Sequence, residues 1–368
     1  MRIEWQVAFW LLMLVLASLG LYMFASVLAP FVAALILGYV LDPVADRLQK
    51  LGLNRLSATL VIVAGFVVVL TIVLLVLAPV LGRQVVGFAE SLPVYAARLQ
   101  TLSTEQAADL LQKYGGDWLQ KFGVDGASAT ETIQKSLGNF VGQGVQWAGN
   151  FLKSIWSGGQ ALVGIVTLTV ITPVVTFYLL LDWDEMIAVL RSLVPPRHRA
   201  TVIEIAGDID RALSGFLRGQ SLVCLFLGLW YGVGLSMIGL NFGFLIGTSA
   251  GLLSFIPYVG SLTALVFSAV VAIVQGWPGV GLFGEAMAVV VVGQFLEGNF
   301  LTPKLVGESV GLHPVWLIFA LLAFGSLFGF AGMILAVPAA AAAGVLVRFA
   351  ARRYKQSALF HGMDLDPT

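Results

Sequence analysis

The sequence predicts an all-α polytopic membrane protein. We expect about six to eight transmembrane helices with two re-entrant hairpins in an inverted repeat, plus a small helical extramembrane insert. Three observations carry this. The chain is 59% hydrophobic and 11% charged, whereas soluble domains carry about 25% charged residues. Its apolar runs are long and near-continuous, which means helices rather than the alternating strands of an outer-membrane barrel. The two longest runs are each interrupted near the middle by small or polar residues.

Residues 1–81 hold the first membrane helices. Arg2 precedes an apolar run at 5–28, too long for a cleaved signal segment, so it reads as a retained span. A second apolar stretch, 31–42, is short for a crossing. It either begins before Pro30 or continues through the amphipathic 43–51. Arg47, Lys50 and Arg55 follow, which places that loop on the cytoplasmic side. A third span covers 56–81.

At residue 82 the composition changes. Residues 82–158 hold six Lys/Arg and six Asp/Glu among Gly, Ser and Gln. Val85, Val86, Phe88, Ala89 and Leu92 have helical spacing, with breaks at Gly115-Gly116 and from Gly123 to Ser128. This reads as a small extracytoplasmic helical domain, since long loops translocate largely regardless of charge. Residues 159–218 form a membrane helix and a cytoplasmic amphipathic segment. The helix contains Pro173 among Thr169, Thr172 and Thr176, hydroxyls able to serve carbonyls that proline leaves free. Arg191, Arg197, Arg199, Arg211 and Arg218 place the segment after it inside.

Residues 219–347 form a C-terminal membrane region with two broken blocks. One span covers 219–240 and another 280–297. The blocks 244–275 and 315–347 are too long for one straight crossing: about 32 residues would reach about 48 Å against a core of about 30 Å. Phe255-Ile-Pro-Tyr-Val-Gly260 breaks the first and Gly325-Ser-Leu-Phe-Gly329 the second. Span plus broken hairpin, twice over, gives two units of opposite orientation. Parity also permits each block to cross once. The breaks at Gly260, Gly325 and Gly329 favour hairpins. Residues 348–368 form a cytoplasmic tail marked by Arg348, Arg352, Arg353 and Lys355.

Within 219–347 only four residues carry formal charge: Glu285, Glu297, Lys304 and Glu308. Charge at membrane depth costs roughly 2.5–3.5 kcal/mol per residue on insertion scales. Gln294 and Glu297 share a helix face. Gly298 and Pro303 loosen the helix there, and Asn299 and Thr302 add an amide and a hydroxyl. Glu297 is the expected proton or cation carrier, with Gln294, Asn299 and Thr302 as polar lining. The plainer reading is a helix-end glutamate paired with Lys304. Pro257 and Tyr258 at the first break, and Arg218 and Gln220 at the start of a span, complete the candidate site.

Other motifs carry less. Gly279-Val-Gly-Leu-Phe-Gly284 matches a dinucleotide fingerprint but opens a membrane span instead of following a strand. Gly228/Gly232, Gly247/Gly251 and Gly325/Gly329 have the spacing of close helix packing. His198, His313 and His361 lack metal-ligand spacing, and no Ser elbow, HExxH or P-loop occurs. No metal or cofactor is expected, and a membrane enzyme finds few convergent groups. Zero net charge offers no case for nucleic acid. Cys224 reads as a small buried hydrophobe.

Arg218-Gly219-Gln220, Phe255 to Gly260, Gln294 to Lys304 and Gly325 to Pro338 resemble the autoinducer-2 exporter family of bacterial permeases. So does the order of elements: three spans, an insert, then a long C-terminal region. The resemblance implies secondary transport without ATP, in a multi-pass protein of the bacterial inner membrane. Implied cargoes are a small polar solute, such as the quorum-sensing signal autoinducer-2, or a proton or monovalent cation in sodium–proton exchange. Homo-oligomers are also implied, a pentamer being the expected form.

One topological outcome follows from the basic short loops. Residue 128, made cysteine on a Cys224→Ala background, should react with an impermeant thiol reagent in intact cells. Labelling only after permeabilisation would place the insert inside instead.

Overall fold

The computed structural model describes residues 25–110, 167–306 and 313–357, together with residues 12, 13, 20, 142 and 360. The expected span at 5–28 falls largely outside these residues, as does 111–158 apart from residue 142. Among the described residues every regular element is helical, and five helices are long and apolar enough to cross a membrane.

Helix α1 (Ala25–Lys50) settles the short second stretch. It begins before Pro30 and also runs on past Pro43, so both extensions occur in one helix. Helix α2 (Arg55–Leu110) does not stop where the composition changes at residue 82. Pro79 and Pro93 sit inside it. A π-helical turn, Thr167–Ile171, leads into α3 (Thr172–Leu193).

Polar side chains tie these three helices together. Thr172 and Thr176 donate from Oγ1 to the carbonyls of Pro30 and Ala34 on α1, at 3.3 and 3.4 Å. The carbonyls served are thus on a neighbouring helix and not the one Pro173 leaves free, while Thr176 also bonds the Thr172 carbonyl one turn back at 2.8 Å. Arg55, expected from the sequence to mark a cytoplasmic loop, is a tie between helices in the structure. Its Nε donates to the Leu180 carbonyl of α3 at 2.7 Å, and its Nη2 to Asp42 of α1 at 2.9 Å. A rigid guanidinium fork can serve several acceptors at once, and here, from the start of α2, it joins α1 and α3.

Helix α4 (Arg199–Met237) merges the expected amphipathic segment and the next span into one rod. Phe216, Gln220, Val223, Leu227, Tyr231 and Leu235 recur at helical spacing and are all buried. This stripe is the core of the C-terminal half. Helix α5 (Gly243–Leu253) folds back along it. A Cβ on Gly247 would run into the backbone of Gly232, and one on Gly251 into the backbone of Gly228. Two of the three expected small-residue pairs therefore meet each other in antiparallel register, which is how helices approach closely in lipid. Phe88 and Tyr95 of α2 pack against Phe242 at the α4–α5 turn, with ring centroids 5.3 and 6.3 Å apart. That contact uses the apolar face read at 85–92.

The two expected breaks are present. Helix α5 ends at Leu253 and α6 (Val259–Gly276) begins after Tyr258, which stands at φ 69°. An aromatic residue in the left-handed region is strained, by an amount of order 1–3 kcal/mol. Helix α7 (Gly281–Leu296) continues into a π-helix, Glu297–Val306. Helix α8 (Pro314–Lys355) contains Gly329 at φ 60°, ψ −141°, a conformation essentially reserved for glycine. The chain turns back there: a Cβ on Gly332 would strike the Phe324 carbonyl, and one on Gly325 would lie 3.0 Å from Met333 Cγ. Residues eight apart stand about 12 Å from each other in a straight helix. Gly329 is thus the turn itself, and not, with Gly325, a packing pair of the kind seen between α4 and α5.

These contacts separate two glycine classes. Gly247→Ala should destabilise the protein by about 1–3 kcal/mol, read as a lower melting temperature in detergent. Gly284→Ala, with nothing near its added methyl, should be neutral or slightly stabilising. Equal effects would contradict the α4–α5 contact.

Candidate functional site

The site is built where α4 crosses the junction of α7 and the π-helix. Gln294 is in the last turn of α7 and Glu297 opens the π-helix. Gln294 Nε2 lies 2.9 Å from the Tyr231 hydroxyl and 3.2 Å from Glu297 Oε2. One amide thus bridges a phenol on α4 to a carboxylate on the wide helix. Gly293 leaves room for this: its Cβ would collide with the Tyr231 ring. Trp230 Nε1 donates to the Val289 carbonyl at 3.1 Å and holds α7 against α4 one turn further along.

Glu297 and Gln294 are half-buried, and Tyr231 is fully buried. Lys304 is not the partner of Glu297: the ammonium lies over the Phe300 ring, 5.9 Å from the centroid. Among the described residues no ion pair joins Glu297 to Lys304. The helix loosening read from Gly298 and Pro303 takes the form of a π-helix ten residues long. Pro303 has no N–H, so the rung that would close onto the Gly298 carbonyl is missing.

Asn299 and Thr302 do not join this cluster. Both are exposed, and Asn299 Nδ2 turns back to the Phe295 carbonyl at 2.9 Å. Pro257 is half-buried at the first break and Tyr258 is 58% exposed beside it.

Arg218, Gly219 and Gln220 each meet a different element. Arg218 Nε donates to the Tyr39 carbonyl of α1 at 2.7 Å. Gly219 lies so close to the Leu305 carbonyl of the π-helix that a Cβ would not fit. Gln220 Nε2 donates to the Ser254 carbonyl at 2.6 Å, at the end of α5. Ser254 is itself anchored through Oγ to the Ala250 carbonyl at 2.9 Å. Gly260, on the far side of the break, is pressed against Ser254. Tyr39 in turn donates from its hydroxyl to Asp210, 3.1 Å away.

Tyr231 was not singled out by sequence reasoning. A signal existed: it lies eleven residues, about three helical turns, from Gln220 and so on the same face. Among the described residues no three His, Cys, Asp or Glu side chains gather as metal ligands.

Five helices long and apolar enough to cross a membrane, among the described residues, give the chain the build of a multi-pass membrane protein. Comparison gives the family. The description "AI-2E family transporter" matches residues 11–352, nearly the whole chain. "Putative transport protein YueF" of Bacillus subtilis (strain 168) is 30% identical over 344 residues, covering 90% of this chain and 88% of that protein. "Putative permease PerM" of Escherichia coli (strain K12) is 29% identical over 334 residues, covering 90% and 89%. The chain belongs to the AI-2E transporter family.

The bridge can be tested without transport. Tyr231→Phe removes the hydroxyl that meets Gln294 and should cost about 0.5–1.5 kcal/mol, seen as a lower melting temperature of the purified protein. An unchanged value would mean that the phenol does not hold the amide.

Proposed function

We propose that this permease is a secondary transporter of the bacterial inner membrane that moves a small polar solute outward, with Glu297 as the coupling group. The observation that carries the reading is the placement of Glu297. It sits half-buried at the start of a π-helix, in hydrogen-bond reach of Gln294, with no ion pair to Lys304. A carboxylate kept in an apolar region without a counter-charge suits a group that takes and releases a proton or a monovalent cation. The exposed Asn299 and Thr302 would line the approach along the wide helix. Pro257 and Tyr258 would offer backbone and ring to the solute at the first break.

In this reading α5–α6 and the two halves of α8 are re-entrant hairpins. Their turns at 254–258 and Gly329 stand near the bilayer midplane, facing a polar cavity, and the two repeat units rock or slide to expose the site alternately. The insert is extracytoplasmic and both termini are inside. The working form is a homo-oligomer, a pentamer being the expected one. Autoinducer-2 is the leading candidate solute, carried over from the family's name. Sodium–proton exchange by the same carboxylate is the second reading, favoured because among the described residues no ion pair is made by Glu297.

Glu297→Gln keeps the size and the bond to Gln294 while removing the charge. In proteoliposomes the variant should insert and melt like the wild type, while proton-coupled solute flux falls at least roughly tenfold, the scale set by losing a charged hydrogen-bonded group. A sodium gradient applied to the same vesicles separates the two cargoes. Unchanged coupled flux under both gradients would exclude Glu297 as the coupling group.

A further inference from the structure

A second polar feature lies away from Glu297, where α4 and α8 diverge. Ala212 of α4 meets Ala341 and Val345 of α8 in a small apolar contact, with Ile205 and Ile209 packed beside it. Beyond that contact the helices open onto a cavity of about 530 Å³. Among the described residues its walls carry Arg211 on α4 and Arg348, Arg352 and Lys355 on α8, with Asp208 as the acid. The α8 cations recur at intervals of four and three residues, so helical geometry puts them on one face. Asp208 pairs with Arg211 and lies 3.9 Å from Arg352. The lining therefore holds four cations and one carboxylate. Guanidinium groups suit phosphate because their planar forks match its oxygens.

Position selects the source of that phosphate. Leu346 and Val347, immediately before Arg348, are 50% and 67% exposed and face outward from the bundle. The change from apolar to basic within one turn of α8 marks the level where a span leaves hydrocarbon for headgroups. On α4 the cavity lies two turns before Arg218, where the apolar run begins. Basic pockets between helices at the cytoplasmic surface are suited to anionic lipid headgroups.

We infer that the cleft between α4 and α8, lined by Arg211, Arg348, Arg352 and Lys355, binds the phosphate headgroup of an anionic phospholipid of the cytoplasmic leaflet. The apolar floor of Ala212 and Val345 receives the glycerol, and the acyl chains run along the exposed side of α8. A lipid held there bridges the helix that carries Gln220 and Tyr231 to the helix that turns at Gly329. It would couple membrane composition to the packing of the two.

The full chain, purified in a neutral detergent, is titrated with dioleoylphosphatidylglycerol, with dioleoylphosphatidylcholine, and with inorganic phosphate alone. Retention by native mass spectrometry and melting temperature are the readouts. Phosphatidylglycerol should be retained and should raise the melting temperature, in a manner weakened by added salt. Neither other probe should match it. Arg348→Gln/Arg352→Gln/Lys355→Gln should weaken retention roughly 100-fold, three surface cations' worth. Arg191→Gln/Arg197→Gln, outside the cleft, should bind as the wild type does. Equal retention of phosphatidylcholine would overturn charge recognition. An equal shift with phosphate alone would overturn a lipid source. Undiminished retention in the triple variant would overturn the location. The salt series on the wild type needs no variant, and retention indifferent to salt would also contradict the site.

Discussion

The structure depends on three consecutive residues of α4. Arg218 reaches α1, Gly219 touches the π-helix, and Gln220 holds the end of α5. Each contact ends on a backbone carbonyl. Two of these carbonyls lack a helical partner in a low-dielectric setting: Tyr39's because Pro43, four residues on, has no N–H, and Ser254's because α5 ends there. Gln220 answers one of them at Ser254. Gly219 works by absence, since any side chain there would push the π-helix away. Arg218 extends the same clamp to the N-terminal helices, and Tyr39 closes the loop by bonding Asp210, two turns back on α4. The widened helix that carries Glu297 and the break that carries Pro257 and Tyr258 are thus positioned by neighbours in sequence.

The second constraint is closeness. The α4–α5 pair packs backbone to backbone through Gly228, Gly232, Gly247 and Gly251. Without water to drive association, membrane helices rely on such contact. Because α5 is pinned along its length, the chain has little slack at 254–258, and Tyr258 takes a left-handed backbone. Strain of this kind persists where surrounding packing over-determines it. The Tyr231–Gln294–Glu297 bridge ties the wide helix to the same buried stretch of α4.

Much of this could be read from residues alone. The glycine pairs at 228/232 and 247/251 and the Phe-Ile-Pro-Tyr-Val-Gly stretch each state a local requirement, and the structure has close glycine contacts and a helix end at those positions, whereas Gly325 and Gly329 form no packing pair. Gln294 and Glu297 come together because three residues on a helix guarantee it. What was not legible depends on partners distant in sequence. Tyr231 looked like one more core aromatic, and nothing local says that its hydroxyl meets Gln294. Arg55 looked like a topology marker, and its acceptors on α1 and α3 are set by packing. Asn299 and Thr302 were grouped with Glu297 by proximity in sequence. The π-helical winding turns both outward, a change of pitch that no count of residues reveals. The joining of 199–218 to the following span escaped notice because charge and apolarity change at Arg218 while the helix does not.

The central claim is that the 218–220 clamp holds the break at 254–260 and the wide helix at 297–306 together. Amide hydrogen exchange of the protein in nanodiscs, wild type against Gly219→Ala, tests it most directly. The added methyl must displace the Leu305 backbone or move α4, and either loosens the bond from Gln220 to Ser254. The account predicts faster exchange in both segments, with α2 unchanged. Exchange altered only in the turn of α4 that carries the substitution, or in neither segment, would contradict it.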